Sequence, residues 1–296
     1  MNPAIRIPAH AKVNLFLRVL AREDDGFHSL ETLFCLLSLA DELQAERSDA
    51  EGVALEVEGG DCGPHGDNLA VRAAQMVLDA TGRRFGVRLR LRKHIPVRAG
   101  LGGGSSDAAA ALTAVNHLAG NAVPRHELLQ MAARLGSDIP FLLTGASLAL
   151  AWGHGSRLLR LPPLPTMPAL VVIPETGIST PEAYREIDQA RLTGHRRGAV
   201  SLDLESLARW GDIARLSGND FEFALFGRHP DLKRAFEALA GTQPLLCRMS
   251  GSGSAMVAIY RSRRDRDDAS LMLGARHGRV VAVETLEGPP AAPAEV

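Results

Sequence analysis

Apolar and polar positions alternate with a period of two through much of the first ninety residues. Residues 11–20, 32–37, 53–58 and 86–93 therefore read as strands. In the last of these Val87, Leu89 and Leu91 alternate with Arg88, Arg90 and Arg92, which predicts one buried and one solvated face. Between the third and fourth, Leu69, Ala73, Met76, Val77 and Ala80 fall on one side of a helical wheel. Residues 68–80 read as a helix with Asn68 as its N-cap. An alanine-rich helix follows at 105–118 and another near 125–135, then strands at 147–152 and 157–161. Pro162, Pro163, Pro165 and Pro168 interrupt every regular pattern, and they predict a domain boundary that divides the chain into 1–161 and 162–286. Beyond them come a buried-type strand at 169–173, helices at 181–190, 220–226 and 230–239, and two strands, 245–249 and 255–260, around a glycine turn. The end of the chain, 287–296, is rich in proline and alanine and is expected to be a disordered tail.

Composition narrows the class. With 296 residues and 46% hydrophobic content the chain can bury one large core or two smaller ones. Lys plus Arg total 33 and Asp plus Glu 34, a net charge of −1, so there is no basic excess to suggest a nucleic-acid partner. The arginines cluster only at 88, 90 and 92 and at Arg261, Arg263, Arg264 and Arg266. Cys35, Cys62 and Cys247 are odd in number and far apart, which excludes a full disulfide framework and a zinc-ligand spacing. No apolar run approaches the ~20 residues of a membrane helix. The N-terminal MNPAIRIPAH lacks an apolar signal region. These features lead to the expectation of a soluble cytoplasmic protein.

The densest chemical signal is Pro96-Val97-Arg98-Ala99-Gly100-Leu101-Gly102-Gly103-Gly104-Ser105-Ser106, between a strand and a helix. Glycines let backbone N–H groups turn inward without Cβ clashes, and the helix N-terminus that follows favours an anion such as phosphate. The serines add hydroxyl donors. No lysine follows the glycines as a Walker A loop requires, and Ser105 breaks the dinucleotide pattern G-x-G-x-x-G. A plain glycine-rich turn capped by Ser105 or Ser106 is the alternative. Further along, Leu135-Gly136-Ser137-Asp138-Ile139-Pro140-Phe141 holds a carboxylate at a rigid turn. Asp138 reads either as a general base or as the cap of a short helix. Lys12 and Asn14 share one face of the first strand, with Val13, Leu15 and Leu17 on the other. Lys12 beside a base would keep it ionised, although an exposed strand-edge lysine would look the same in sequence. Met249-Ser250-Gly251-Ser252-Gly253-Ser254 is a second glycine-serine turn, either a further phosphate contact or a simple hairpin.

Taken in order, the Lys12 segment, the Gly100–Ser106 loop and the Ser250–Ser254 turn resemble the galactokinase, homoserine kinase, mevalonate kinase and phosphomevalonate kinase (GHMP kinase) superfamily. Ala11-Lys12-Val13-Asn14-Leu15, Asp25-Gly26-Phe27-His28, Asp67-Asn68-Leu69, residues 99–109 and 135–141 resemble its branch that acts on a cytidine diphosphate-linked methylerythritol. The resemblance covers the chain from about residue 5 to 285. It implies an α+β architecture with a ribosomal protein S5 domain 2-like N-terminal domain and a ferredoxin-like C-terminal domain. It also implies ATP and Mg²⁺, and phosphorylation of the substrate's C2 hydroxyl in the non-mevalonate isoprenoid route. Asp138 would take the hydroxyl proton and Lys12 would orient and neutralise. Residues 96–106 and Asn68, on the adenine side, would hold ATP. Asn14, Phe27, His28, Tyr184 and the turn Gly251, Ser252, Gly253 would hold the substrate, with Phe27 and Tyr184 flanking the cytosine and His28 at its edge. Ser106 is the candidate protein ligand for Mg²⁺. The partners implied are these small molecules alone, with a monomer or homodimer as the assembly.

The sequence departs from the pattern in three places. Phe27 stands where tyrosine is usual, which removes a hydroxyl but keeps a flat face. His10 and Ala11 stand where proline often precedes Ala-Lys, and Ser252 and Ser254 where threonine and alanine are common. Two other classes stay open: a kinase of the same superfamily for a homoserine- or mevalonate-type alcohol, which needs no cytidine pocket, and a non-catalytic ATP-binding module, which needs neither Asp138 nor Lys12.

Overall fold

The computed structural model describes residues 4–24, 26–60, 62–192, 201–288 and 294–295. Asp25 of the expected substrate motif lies outside them. Two long strands, β1 (Ile5–Arg22) and β2 (His28–Ser48), form an antiparallel pair that is the backbone of the first sheet. β3 (Val53–Glu58) leads through α1 (Leu69–Ala80) to β4 (Gly86–Arg92), which lies parallel to β3. This is the helix-linked crossover that parallel neighbours need. β4 also pairs with the second half of β2, while the first half of β2 pairs with β5 (Leu148–Gly153). Between β4 and β5 run α2 (Gly103–Leu118), α3 (Arg125–Leu135) and α4 (Ile139–Thr144), and β6 (Arg157–Arg160) closes that edge against β5. α1 and α2 pack on one face through Ala73, Ala74, Val77 and Ala108 to Leu112, against Leu43, Leu89 and Leu91. The small alanines let the two helices and the sheet approach closely.

The second sheet has the order β10-β7-β9-β8, from β7 (Pro168–Ile173), β8 (Leu246–Met249), β9 (Met256–Ile259) and β10 (Arg279–Glu284). α5 (Thr180–Leu192), α6 (Trp210–Leu216), α7 (Asp220–Phe226) and α8 (Pro230–Ala240) stand between β7 and β8, and α9 (Arg263–Leu273) between β9 and β10. A β-α-β-β-α-β chain with the outer strand beside the first is the ferredoxin-like pattern. The chain is thus α+β with two sheets. The proline segment runs between β6 and β7 and separates the sheets, but not the cores. Val13, Leu15 and Leu33 of the first sheet share one buried cluster with Val171, Trp210 and Val257 of the second half.

Several expectations change here. α4, α6, α9 and β10 are additional elements, and β1 and β2 run well beyond 11–20 and 32–37. Within the expected disordered tail, Ala294–Glu295 adds a two-residue strand, β11, to β1, while 289–293 and 296 lie outside the described residues. The exposed arginines of β4 lie along its solvent face and pair with Glu46, Glu56 and Glu58. The most consequential change is in β1. The register slips between Asn14 and Phe16, a β-bulge at Leu15. Leu17 is thereby moved onto the face of Lys12 and Asn14, opposite Thr32, instead of staying with Val13 and Leu15.

Candidate active site

A cleft of about 660 Å³ opens where the two sheets meet. One wall is the glycine loop. Gly100 and Gly102 have φ of +80° and +71°, a region that favours glycine, and Gly102 caps α2. Three successive loop carbonyls are taken: Ala255 N donates to Ala99 O (3.0 Å), Ser250 Oγ to Gly100 O (2.9 Å) and Lys12 N to Leu101 O (2.9 Å). The donors therefore come from β1 and from the second glycine turn and the residue after it, which locks both segments to the loop. The first intrahelical bond of α2 is Ser106 N to Gly102 O, so the N–H groups of Gly103 to Ser105 form the open end of the helix. A phosphate group set there meets those donors and the positive end of the dipole.

The floor of the cleft carries charge. Lys12 is 3% exposed, and its ammonium lies 3.0 Å from Asp138 Oδ2 and donates to Asn14 Oδ1 at 3.0 Å. Asn14 Nδ2 donates to Thr32 Oγ1 (2.7 Å), and Thr32 passes its own proton to Phe16 O (2.6 Å). This chain of bonds holds Lys12 in one rotamer, with two of its three donors directed at Asn14 and Asp138. Its ammonium also stands 5.3 Å from the Phe34 ring centroid, and that ring stacks on Phe141. Asp138 precedes α4 but makes no side-chain capping bond. Its carboxylate is 30% exposed and lines the cleft opposite the loop. A carboxylate that touches a buried ammonium through one oxygen and opens to the cleft is the arrangement that general-base chemistry needs.

The second turn comes from the other half of the chain. Asn219, the cap of α7, donates from Nδ2 to both Met249 O and Gly251 O at 2.8 Å. Gly251 approaches closely enough that a Cβ there would stand 3.6 Å from Lys12 Nζ. Ser252 Oγ lies 3.1 Å from Thr180 Oγ1 at the start of α5. The far end of the cleft is aromatic. A tight turn, with Glu23 N donating to Phe27 O (2.7 Å), presents Phe27, which is 65% exposed and packs 5.4 Å from the His154 ring. His28 stacks on Tyr184 at 4.8 Å and 23°, and Tyr184 meets Phe221 edge to face. Burial, with the charge of Asp138 added, pushes the Tyr184 phenol up to about 12, so it stays a neutral donor.

Regions 68–146 and 199–279 match the families described as GHMP kinases N terminal domain and GHMP kinases C terminal. A protein of Solibacter usitatus named 4-diphosphocytidyl-2-C-methyl-D-erythritol kinase is 41% identical over 272 residues, covering 90% of this chain and 84% of the relative. The chain belongs to the 4-diphosphocytidyl-2-C-methyl-D-erythritol kinase family of GHMP kinases. It is a small-molecule kinase. A relative of the same name from Mycobacterium tuberculosis is 38% identical over 288 residues, 95% of this chain and 89% of that one. A crystal structure of 4-(cytidine 5'-diphospho)-2C-methyl-D-erythritol kinase matches with a TM-score of 0.80 and 37% identity, over 96% of this chain and 100% of the other. A homoserine kinase from Cytophaga hutchinsonii, at 19% identity and a TM-score of 0.69, shares the fold.

In this kinase the cleft brings together Lys12, Asn14, Phe27, His28, Gly100, Gly102, Ser105, Asp138, Tyr184, Gly251 and Ser252. Gly253 lies behind that surface, against the Met249 sulfur. In the loop, Ala99 and Leu101 are buried anchors, Val97, Arg98 and Gly104 are exposed, and Pro96 and Gly103 are half-buried. Ser106 is buried and outside the cleft lining, whereas Ser105 is in it, so Ser105 is the serine that faces the cleft. Asn68 is buried and caps α1 through Ala70 N (2.9 Å), the plain role weighed from the sequence. Phe27 and Tyr184 do not face one another directly: His28 covers one face of Tyr184. The structure adds Thr32, Arg22, Asp188, Thr180 and Asn219 to the site. Of these only Asn219 carried a local signal, as an N-cap before Asp220. The others become visible only when β2 and α5 are placed beside β1.

Below the loop sits a buried charge cluster. Lys93 bonds both Asp41 and Asp107, the latter at 2.6 Å, and Asp41 Oδ1 also accepts from His94 N and Ile95 N. Burial opposes charge on Lys93, but the two carboxylates outweigh it and hold its pKa up. Burial lifts the Asp107 carboxyl to about 7 against the pull of Lys93. The cluster pins the end of β4 and the first turn of α2, between which the loop is strung.

Proposed function

We propose that this kinase transfers the γ-phosphoryl group of ATP to the C2 hydroxyl of 4-diphosphocytidyl-2-C-methyl-D-erythritol, giving the 2-phosphate. The observation that carries the reading is Asp138. Its carboxylate is free of any capping bond, sits 3.0 Å from a buried ammonium and faces the glycine loop across the cleft. ATP would lie with its phosphates on the N–H groups of Gly103 to Ser105, with residues 96–102 shaping the approach. Asp138 takes the C2 hydroxyl proton as the oxygen attacks the γ-phosphorus, and the bond to the β-phosphate oxygen breaks. Lys12 orients that carboxylate and stabilises negative charge spreading over the transferring group. Asn14, fixed by Thr32, orients the polyol. Phe27, His28 and Tyr184 receive the cytosine, and Gly251 to Gly253 close over the diphosphate.

The donor set fits a magnesium ion carried by the nucleotide. Ser105 offers a hydroxyl at the open end of α2, and among the described residues no cluster of three acidic, histidine or cysteine side chains forms a cage. Mg²⁺ is ordinarily held by phosphates, waters and one or two protein oxygens, and there it supplies neutralising charge. Among the described residues no helix is long and apolar enough to cross a membrane. The cytoplasm, where ATP is made and where Cys35, Cys62 and Cys247 stay thiols, is the compartment proposed.

Calorimetry with CDP tests the substrate class. CDP affinity, with none for homoserine or mevalonate, is the expected result. Turnover of either alcohol without CDP binding would replace this reading by the corresponding relative's chemistry.

A further inference from the structure

The aromatic end of the cleft contains a histidine–carboxylate hydrogen bond that the phosphoryl transfer does not use. Asp188 lies one helical turn after Tyr184 on α5, so both side chains reach the same end of the cleft. Asp188 Oδ1 stands 2.7 Å from His28 Nε2, and its other oxygen stands 3.8 Å from an Arg22 nitrogen. The His28 side chain is 5% exposed, while Asp188 is 34% exposed toward the cleft. The imidazole is clamped from two directions, by the carboxylate at its edge and by the Tyr184 ring against its face at 4.8 Å. Among the described residues, its other nitrogen, Nδ1, has no hydrogen-bond partner, and the ring lines the cleft.

A carboxylate is an acceptor only, so the nitrogen facing it carries a proton. In a neutral imidazole the remaining nitrogen is then a lone-pair acceptor. Cytosine and uracil differ at one edge position, where cytosine presents an amino donor and uracil a carbonyl acceptor. An acceptor fixed at that position pairs with the first and repels the second. We propose that Asp188 is a specificity-determining positioning residue: it fixes Nε2 of His28 as the proton-bearing nitrogen, so that Nδ1 faces the pyrimidine as an acceptor and selects cytosine over uracil. The inference rests on the cytidine reading above and assigns the residue that makes the pocket selective.

The test compares CDP with UDP by calorimetry on the intact enzyme, in the wild type and in Asp188→Asn. An amide can donate to Nε2 as readily as accept from it, so the tautomer is no longer imposed. Wild type should prefer CDP by roughly 10- to 100-fold, the discrimination of one well-placed base contact. Asp188→Asn should collapse that ratio to within about threefold, largely by weaker CDP binding. A merely structural role would weaken both nucleotides together and leave the ratio in place, which would overturn the inference. Absence of CDP binding by the wild type would instead overturn the substrate reading and the inference with it. Nitrogen-15 NMR of the histidines in the wild-type CDP complex needs no variant. It should show His28 with Nδ1 unprotonated, and a protonated Nδ1 there would contradict the proposal.

Discussion

Replacing Gly100 by alanine tests how the two glycine turns are joined. The residue has φ of +80°, and a Cβ added to it would lie 2.5 Å from Ser250 O and 2.8 Å from Gly253 O. Both obstacles are backbone oxygens, so no side-chain rotation relieves the clash. A non-glycine residue in the left-handed region costs about 1–2 kcal/mol, and overpacking adds about 1–3 kcal/mol. The sum, roughly 2–5 kcal/mol, exceeds what the Ser250 Oγ to Gly100 O bond contributes, about 1 kcal/mol. The two turns are therefore expected to separate. Thermal unfolding should fall by about 4–20 °C, at roughly 2–4 °C per kcal/mol for a chain of this size. The KM for ATP should rise, because Lys12 N is tied to the next carbonyl along the loop. Gly104→Ala is the matched control. No atom lies within 4 Å of a Cβ there, and the residue is helical. That variant should keep or gain stability, by up to about 1 kcal/mol of helix propensity, while its methyl crowds the phosphate site and raises the ATP KM. Wild-type stability together with a wild-type ATP KM in Gly100→Ala would refute the packing argument.

Three further outcomes follow from the charged groups. Asp138→Asn should lower kcat at least ~100-fold while ATP binding, followed by calorimetry, persists, since general bases contribute about 10²–10⁴-fold. Near-normal turnover would remove Asp138 from the mechanism. Lys93→Met should destabilise by about 3–5 kcal/mol in urea unfolding, because it strands two buried carboxylates, and a change below 1 kcal/mol would show that the cluster is not a structural anchor. Burial pushes Glu222 up to about 7 against Arg248 and the Met249 N–H. The folded state then holds a proton that the unfolded state releases above 4.5, so this group's share of stability is present at low pH and lost as pH rises toward 7. Glu222→Gln keeps the acceptor for Met249 N and should flatten that decline, a component of up to about 3 kcal/mol, in unfolding curves taken across this range. An unchanged slope would contradict the assignment.

What the sequence discloses and what it withholds divide along physical lines. β4 is legible because Val87, Leu89 and Leu91 alternate with three arginines on a strand with one wet face. α1 is legible because Asn68 caps it and an apolar stripe starts at Leu69. α4 is hidden because six residues give a period of 3.6 too little length to show. α9 is hidden because all of its first six residues are charged and only Ala269 and Leu273 reach the core. The bulge at Leu15 has no residue-type signature, yet it decides that Leu17 and Thr32 border the site. In the site, the glycine loop, Asp138 and Lys12 stand out as residue types at informative spacings. Thr32, Asp188 and Arg22 are ordinary polar residues in sequence, and they acquire meaning only through partners far along the chain. Which serine faces the cleft is likewise set by the helix, since Ser105 and Ser106 are adjacent and point about 100° apart around α2.

The central claim is the transfer itself. Phosphorus-31 NMR of the enzyme with MgATP and 4-diphosphocytidyl-2-C-methyl-D-erythritol follows it directly. ADP should accumulate with one new phosphomonoester on the C2 oxygen, in equal amounts, and neither should form with Asp138→Asn on the same timescale. ADP without that ester, or an ester at another hydroxyl, would contradict the account.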